Sequence, residues 1–343
     1  MWRVKGPPPS APRGPPVTDA VTVIVVTHDS AAHVRRCLAC LGVQTRPPAR
    51  ILIVDNASRD DTVAAAEAAI AADERLRGLA EVRRLATNLG FAAANNQGIA
   101  AAATPLVALL NPDAFPEPDW LERLVAAAAT YPEAAAFGSR QMVDGRPGIV
   151  DGLGDCCHVG GLVWRSGHGR RLAAGDLRHA EIFSPCAAAA LYRTAAVRAV
   201  GGLDETFFCY VEDVDLGFRL RLAGHAARLV PDAVVHHVGG GSASDPGRRT
   251  AHFLGHRNLV WSYVKNMPTP LLVAFLPIHL LQTILAGVAL ACRGQAAGFV
   301  RAKCAAVRGL PRAWRQRQAV QAARTASTAA ILRVLDTSLF VRR

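Results

Sequence analysis

Three runs in the first third of the chain, AVTVIVVTH (20–28), RILIVD (50–55) and PLVALL (105–110), are apolar at consecutive rather than alternate positions. A strand that is apolar on both faces must be covered on both, which confines it to the interior of a parallel sheet flanked by helices. The residues between supply those helices: Ser30 to Leu41, with Ser30 placed to cap it, Asp60 to Ala72, and an alanine-rich stretch in and after NLGFAAANNQGI. Strand, helix, strand, helix, short strand, helix, strand is the order of a Rossmann-like, doubly wound α/β sheet, whose ligands bind at the carboxyl ends of the strands. Beyond Trp120 the pattern predicts a helix in LERLVAAAAT, a strand in AAFGSRQMV and loops around a cleft over 144–181. A helix in EDVDLGFRLRLAG follows, and then a short strand, AVVHHVGG, entering a glycine loop.

Polar groups arrive where those strands end. In LLNPDAF (109–115) an amide, a proline and a carboxylate follow the apolar run directly, which suits either a turn or a cation site. Asp55 stands at the end of the second strand, and Glu212, Asp213 and Asp215 crowd the start of a helix. Singly, each has a plain structural reading: Asp55 with Asn56 makes a turn, Asp113 follows a turn proline, and Asp213 caps a helix. Their succession along one chain points to a shared polar sheet edge. Crowding of three acids raises at least one pKa, which suits a base.

Charge and hydropathy set the C-terminal part apart. The chain of 343 residues is 51% hydrophobic, enough for a large core and incompatible with global disorder. Its formal charge of +12 is concentrated at the end, where Arg293 to Arg343 carries eleven basic residues against one acid, Asp336. Such a skew suits phosphates or an anionic membrane surface. Leu271 to Cys292 is 22 residues without a formal charge, against about 20 needed to cross a bilayer. Pro277, His279 and Gln282 argue against a single span, so a re-entrant or surface-lying helical hairpin is expected, the alternative being a core helix pair. The eight cysteines, among them the lone CLAC (37–40) and the adjacent Cys156 and Cys157, have no matched spacing and read as reduced thiols of a cytosolic protein. Residues 1–19 are proline-rich without the apolar core of a signal peptide, hence a flexible tail.

Together, VTVIVVTHDS, ILIVDNASRDDT, NLGFAAANNQGI, LLNPDAF, GGLDETFFCYVEDVDLGFRLRLAG and VVHHVGGGS resemble the family-2 inverting glycosyltransferases of GT-A fold, in the branch similar to rhamnosyltransferases of bacterial cell-envelope assembly. The resemblance covers about residues 20–265. It implies a nucleotide-sugar-binding part (20–115), an acceptor and catalytic part (116–265) and a helical, basic, membrane-associating extension (266–343). The implied reaction is metal-dependent transfer of a sugar, such as rhamnose, from a dTDP or UDP donor to a cell-envelope glycan or polyprenyl-linked acceptor. The implied place is the cytoplasmic face of the cell membrane, with the protein peripheral or re-entrant there and no nucleic acid as partner.

The resemblance also implies roles. NPD stands where the family has its DxD motif, so Asp113 becomes the principal ligand of Mg²⁺ or Mn²⁺; Asn111 replaces the first acid, offering a neutral oxygen or only orienting the donor's diphosphate, and a weaker site is expected. Asp213 becomes the general base, with Glu212 as the alternative and Asp215 as a neighbour able to position hydroxyls. Asp55 reads the nucleotide base beside Thr27 and Asp29, while Asn88, Gly90 and Asn96 approach the ribose or diphosphate. His236 is the second metal ligand by register, His237 facing the other side of the strand. Arg257, next to Asn258, pairs with the diphosphate or anchors its helix. In SPCAAAALYR, Cys186 and Ala187 stand where the family often has a glycine, which leaves the acceptor open. Two competing readings are a nucleotidyltransferase or epimerase-like enzyme, which needs a phosphate loop that THDSAAHV does not supply, and a non-catalytic basic protein on a transferase fold.

Overall fold

The structure, a computed structural model, describes residues 19–172, 177–239 and 246–338. The expected tail, Asp19 apart, and the last residues of VVHHVGGGS lie outside the described residues. Strands β1 (Val21–Thr27), β2 (Arg50–Asp55), β3 (Ala80–Arg84) and β4 (Leu106–Leu110) are parallel and linked by α1 (Ala31–Gly42), α2 (Thr62–Ala72) and α3 (Phe91–Ala101). There follow β5 (Ala114–Pro116), α4 (Trp120–Thr130), β6 (Ala134–Val143), β7 (Val150–Gly152), β8 (Asp155–Cys157), β9 (Val163–Arg165), β10 (Ala180–Glu181) and β11 (Ala189–Arg193). Then come α5 (Thr194–Ala199), a 3₁₀ turn at Glu205–Phe207, α6 (Glu212–Leu222) and β12 (Ala226–His237). Four helices complete the described chain: α7 (Pro246–Asn266), α8 (Thr269–Ala291), α9 (Ala296–Ala322) and α10 (Thr328–Val334).

Among the described residues a ten-stranded mixed sheet runs in the order β10-β12-β6-β11-β4-β1-β2-β3, with β5 added to β12 and β7 to β6. The chain winds outward from β1 through β2 to β3, then returns to place β4 on the other side of β1. That reversal opens a crevice at the carboxyl ends of β1 and β4. On β1, Val21, Val23 and Val25 face one apolar layer with Val34 and Leu38 of α1, while Ile24 and Val26 face a second layer with Ala94 of α3 and Leu216 of α6. The continuous apolar runs are therefore buried on both faces. At Gly98 of α3 an added Cβ would come within 2.7 Å of Ile24, so glycine sets the close approach of helix to sheet.

The short strand expected at AVVHHVGG is the second half of a twelve-residue strand, β12. Its pairing with β6 shifts between Val230 and Val234. Pro231, with no N–H for the ladder, sits at that irregularity.

The C-terminal helices pack on the sheet domain. Trp261 of α7 donates from Nε1 to Ala306 O of α9 (2.9 Å), and Arg317 of α9 donates to Val264 O (2.8 Å). Lys265 of α7 is buried against Asp204 and Asp215, the latter 2.7 Å away and also paired with Arg219 at 2.8 Å. The hairpin expected within 271–292 is not formed: α8 runs unbroken through Pro277, and the chain turns at Arg293–Gln295. The polar residues of α8 are spent on the protein, which is why they do not break it. His279 Nδ1 bonds Gly160 O (2.8 Å) and its ring stacks on Tyr263, while Gln282 Nε2 bonds His158 Nδ1 (3.0 Å). Away from those contacts Leu281, Ile284, Leu285 and Val288 are 55, 62, 58 and 57% exposed. Among the described residues α8 is the one helix long and apolar enough to cross a membrane.

Candidate active site

The site begins with a strand pairing. β5 runs antiparallel to β12 in the register His237↔Ala114 and His236↔Phe115, and Val238 N donates to Asp113 O at 3.0 Å. Successive strand residues face opposite sides, so one histidine of the pair can meet Asp113. It is His237, whose Nε2 lies 3.4 Å from Asp113 Oδ1. His236 turns to the exposed side and contacts Glu117 at 3.2 Å, which corrects the register inferred from the sequence. His237 Nδ1 lies 2.9 Å from Asp151 Oδ2, and the same oxygen receives Arg165 Nη1 at 2.6 Å. Burial works to lower the His237 pKa, but Asp113 and Asp151 push it up to about 9. Burial likewise works to raise Asp113, and the hydrogen bond and charge of His237 hold it below its ordinary value instead.

Asn111 stands beside them. Its backbone N–H donates to Ala188 O at 2.9 Å, and its side-chain Oδ1 is buried with no hydrogen-bond partner among the described residues. An orphaned amide oxygen next to a carboxylate and an imidazole fits a divalent cation. Among the described residues no three His, Cys, Asp or Glu side chains form a metal cluster. Most ligands of a Mg²⁺-like ion would therefore come from phosphate and water, as that ion prefers.

Asn111, Asp113 and His237 line a cavity of about 580 Å³ together with Glu212 and Asp213. Asp213 Oδ2 accepts from Ala187 N (3.1 Å) and Oδ1 from Val214 N (2.8 Å), so two backbone donors hold the carboxylate at the start of α6. Glu212 is buried with Oε2 unpartnered, and burial followed by the charge of Asp213 raises its pKa well above the ordinary value. Asp215 leaves the group altogether: its two oxygens are taken by Arg219, Lys265 and Asn266 in the core, so it cannot position hydroxyls in the cleft. A carboxyl from another element joins the cavity wall. Asp155 of β8 is buried with Oδ2 unpartnered, its pKa raised by burial and then by Asp213.

The cavity rim is a strained loop. Phe208, Tyr210 and the β-branched Val211 all have positive φ, 66°, 69° and 72°, a conformation side chains beyond Cβ disfavour. The buried Asn258 holds it, with Nδ2 within 3.0 Å of the carbonyls of Phe207, Cys209 and Tyr210. Arg257 serves the same loop, donating to Phe207 O at 2.9 Å and packing over Trp261, which is the anchoring role, one of the two expected of it. Gly90 passes under the loop at φ 86°, where a Cβ would lie 2.6 Å from Phe208 O.

The remaining residues expected at the donor divide. Thr27 and Asp55 meet at the ends of β1 and β2, Thr27 Oγ1 donating to Asp55 Oδ1 at 3.0 Å, with Ser58 N also bonded to Asp55. Asp29 (φ 48°) accepts from Arg59 N at 2.7 Å, and Asn88 Oδ1 accepts from Asn56 Nδ2 and Gly90 N, both at 2.9 Å. These form a polar shelf along the crevice. Asn96 is elsewhere: both ends of its amide bond Leu203, and Nδ2 also reaches Glu205, so it ties α3 to the 203–205 turn and is not free for a ligand. Asp151, Asp155 and Arg165 went unassigned in the sequence because they lie in the aperiodic 144–181 block. The one signal there was VDGLGD, two acids set between turn glycines.

A doubly wound sheet with this polar edge at its switch point defines the GT-A class of glycosyltransferases. The chain belongs to glycosyl transferase family 2, whose family model matches residues 22–200, and it is a glycosyltransferase. It is similar to the N-acetylglucosaminyl-diphospho-decaprenol L-rhamnosyltransferase of Mycobacterium tuberculosis, 31% identical over 282 residues that cover 73% of this chain and 85% of the relative. It is also similar to the pre-mycofactocin glycosyltransferase of the same species, 32% identical over 67% of this chain and 44% of the relative. Among solved structures, the fold resembles the mannosyltransferase PcManGT from Pyrobaculum calidifontis in complex with GDP-Man and Mn²⁺ (TM-score 0.53, 19% identity, 92% of this chain and 86% of the other). It resembles GalNAc-T7 with UDP, GalNAc and Mn²⁺ as well (TM-score 0.55, 15% identity, 71% and 47%).

Proposed function

We propose that this glycosyltransferase moves a sugar, rhamnose in the first instance, from a dTDP or UDP donor to a lipid-linked acceptor with inversion at the anomeric carbon. The observation that carries the reading is that Asp213 lines the same cavity as Asn111, Asp113 and His237. The nucleotide lies along the shelf of Thr27, Asp29, Asp55 and Asn88. Asp113 and His237, with the Asn111 oxygen, would hold Mg²⁺ or Mn²⁺, which when bound supplies positive charge against the departing diphosphate. The Asp213 carboxylate takes the proton of the acceptor hydroxyl as its oxygen forms the new bond to the anomeric carbon, on the face opposite the bond that breaks. Burial raises the pKa of Glu212 and of Asp155 beside it and disfavours their carboxylates, while two backbone N–H groups hold the Asp213 carboxylate in that wall; this supports Asp213 as the base. The exposed face of α8 and the basic α9 seat the protein on the cytoplasmic membrane surface, where such an acceptor resides.

The test is a transfer assay with dTDP-rhamnose or a UDP-sugar and a polyprenyl diphosphate-linked sugar, the product's anomeric configuration being read by NMR. Inversion is expected; retention, or turnover that survives Asp213→Asn, would overturn the reading.

A further inference from the structure

A second cavity, of about 590 Å³, lies on the face of α7 adjacent to the one that lines the cleft. Ala251, Gly255 and Leu259 look into the cleft, whereas Arg249, His252, Phe253 and His256 look into this second space. Its other wall is the end of α8, the turn at Arg293–Gln295 and the first turns of α9 with Phe299 and Arg301. Three guanidinium and two imidazole groups thus surround one cavity, and among the described residues its lining contains no acid. Among the described residues no ion pair involves Arg249, Arg293 or Arg301. Lys303 lies behind, its Nζ 3.2 Å from His256 O and 5.3 Å from the centre of the Phe299 ring, with no carboxylate partner among the described residues. Burial brings its pKa down to about 8, and burial, then Lys303, brings His256 down to about 4.

Guanidinium groups gathered at one cavity with no counter-charge among the described residues suit a multidentate anion, and they match phosphate oxygens in particular. The cavity is not uniformly polar. Phe253, Leu290 and Phe299 form its apolar part, and Leu290 continues the helix whose Leu281, Ile284, Leu285 and Val288 are bare. A ligand that satisfies both halves carries phosphate at one end and hydrocarbon at the other.

We propose that this cavity binds the phosphate-bearing head group of a lipid whose tail lies along the exposed face of α8. The inference rests on the lipid-linked reading of the acceptor for the identity of that lipid. The cleft and the cavity flank one helix, and a helix with its side chains is about 10 Å across. A lipid diphosphate held here lies one helix away from the cleft that Asp213 lines.

The experiment is calorimetric titration of the full chain in mild detergent, at saturating UDP so that the cleft is filled, with farnesyl diphosphate, farnesol and inorganic diphosphate as probes. Farnesyl diphosphate should bind at least tenfold more tightly than either of the others, and Arg293→Gln with Arg301→Gln should cost at least tenfold in that affinity. The Arg293→Lys, Arg301→Lys pair should recover part of it. Equal affinity in the wild type and the glutamine variant overturns the site. Inorganic diphosphate binding as tightly as farnesyl diphosphate overturns the lipid and leaves a plain phosphate site. UDP affinity, measured alone, should be the same in all three chains, which shows that the variants fold. A wild type that binds no nucleoside diphosphate would count against the donor reading of the cleft, whatever farnesyl diphosphate does.

Discussion

The carboxylate of Asp213 accepts from the backbone N–H of Ala187 at 3.1 Å and its carbonyl accepts from Ser184 Oγ at 3.0 Å, so two hydrogen bonds tie the start of α6 to the segment before β11. Asn would keep the shape of that side chain without a basic carboxylate. Asp213→Asn should lower kcat by about 10²–10⁴-fold, the usual worth of a general base, with little change in donor affinity. Steady-state kinetics beside nucleotide titration checks this, and a comparable loss of donor affinity would reject the assignment.

Glu212 gives a test through stability. Its carboxyl titrates above the ordinary value of 4.5 in the folded chain, because burial and Asp213 oppose ionisation. Below pH 4.5 folded and unfolded chains are both protonated there, and Glu212→Gln should be neutral. As pH rises through that value the unfolded chain sheds the proton while the folded chain keeps it, so the wild type loses stability that the variant retains. Urea unfolding should show the variant gaining on the wild type as pH rises from 4 to 7. Transfer should persist, and its abolition would make Glu212 the base instead.

The two histidines separate cleanly. His237→Asn should weaken Mn²⁺-dependent donor binding at least tenfold, the order expected for a metal ligand or its immediate support, and Asp113→Ala should do the same. His236→Asn, on the exposed face beside Glu117, should leave it within about twofold. Manganese titration followed by electron paramagnetic resonance distinguishes them, and equal effects would reject the role given to His237.

Asn258→Ala removes the amide that serves three carbonyls of the 207–210 loop. A loss of about 2–3 kcal/mol is expected, since buried acceptors lose their donor while the positive-φ strain remains. Faster proteolysis at Phe208 to Val211 would accompany it; unchanged cleavage and stability would show that the loop holds itself.

Ile284→Glu with Leu285→Glu places charge on the bare face of α8 without touching its packed side. Flotation with anionic vesicles should fall by more than half, with donor binding unchanged. Full retention on vesicles would remove α8 from the membrane-facing surface.

What the sequence made legible was local. β1, β2 and β4 announce themselves by continuous apolar runs, and Asp113 and Asp213 stand at abrupt ends of such segments. The choice between His236 and His237 was not local, because β5 pairs with β12 across more than a hundred residues and a register irregularity at Pro231 interrupts the count. Asp151, Asp155 and Arg165 sit on or beside three-residue strands, too short for any period to show. Asn96 was misplaced for a different reason: an amide near a motif serves backbone groups as readily as a ligand, and only the fold says which.

The inward turn of His279 and Gln282 has a kinetic meaning. On the proposed seating along α8 the enzyme searches for a lipid-linked acceptor in two dimensions, and its rate follows acceptors per unit area rather than per unit volume. Diluting the acceptor with inert lipid at constant bulk concentration should slow turnover, whereas adding more vesicles of the same composition should not.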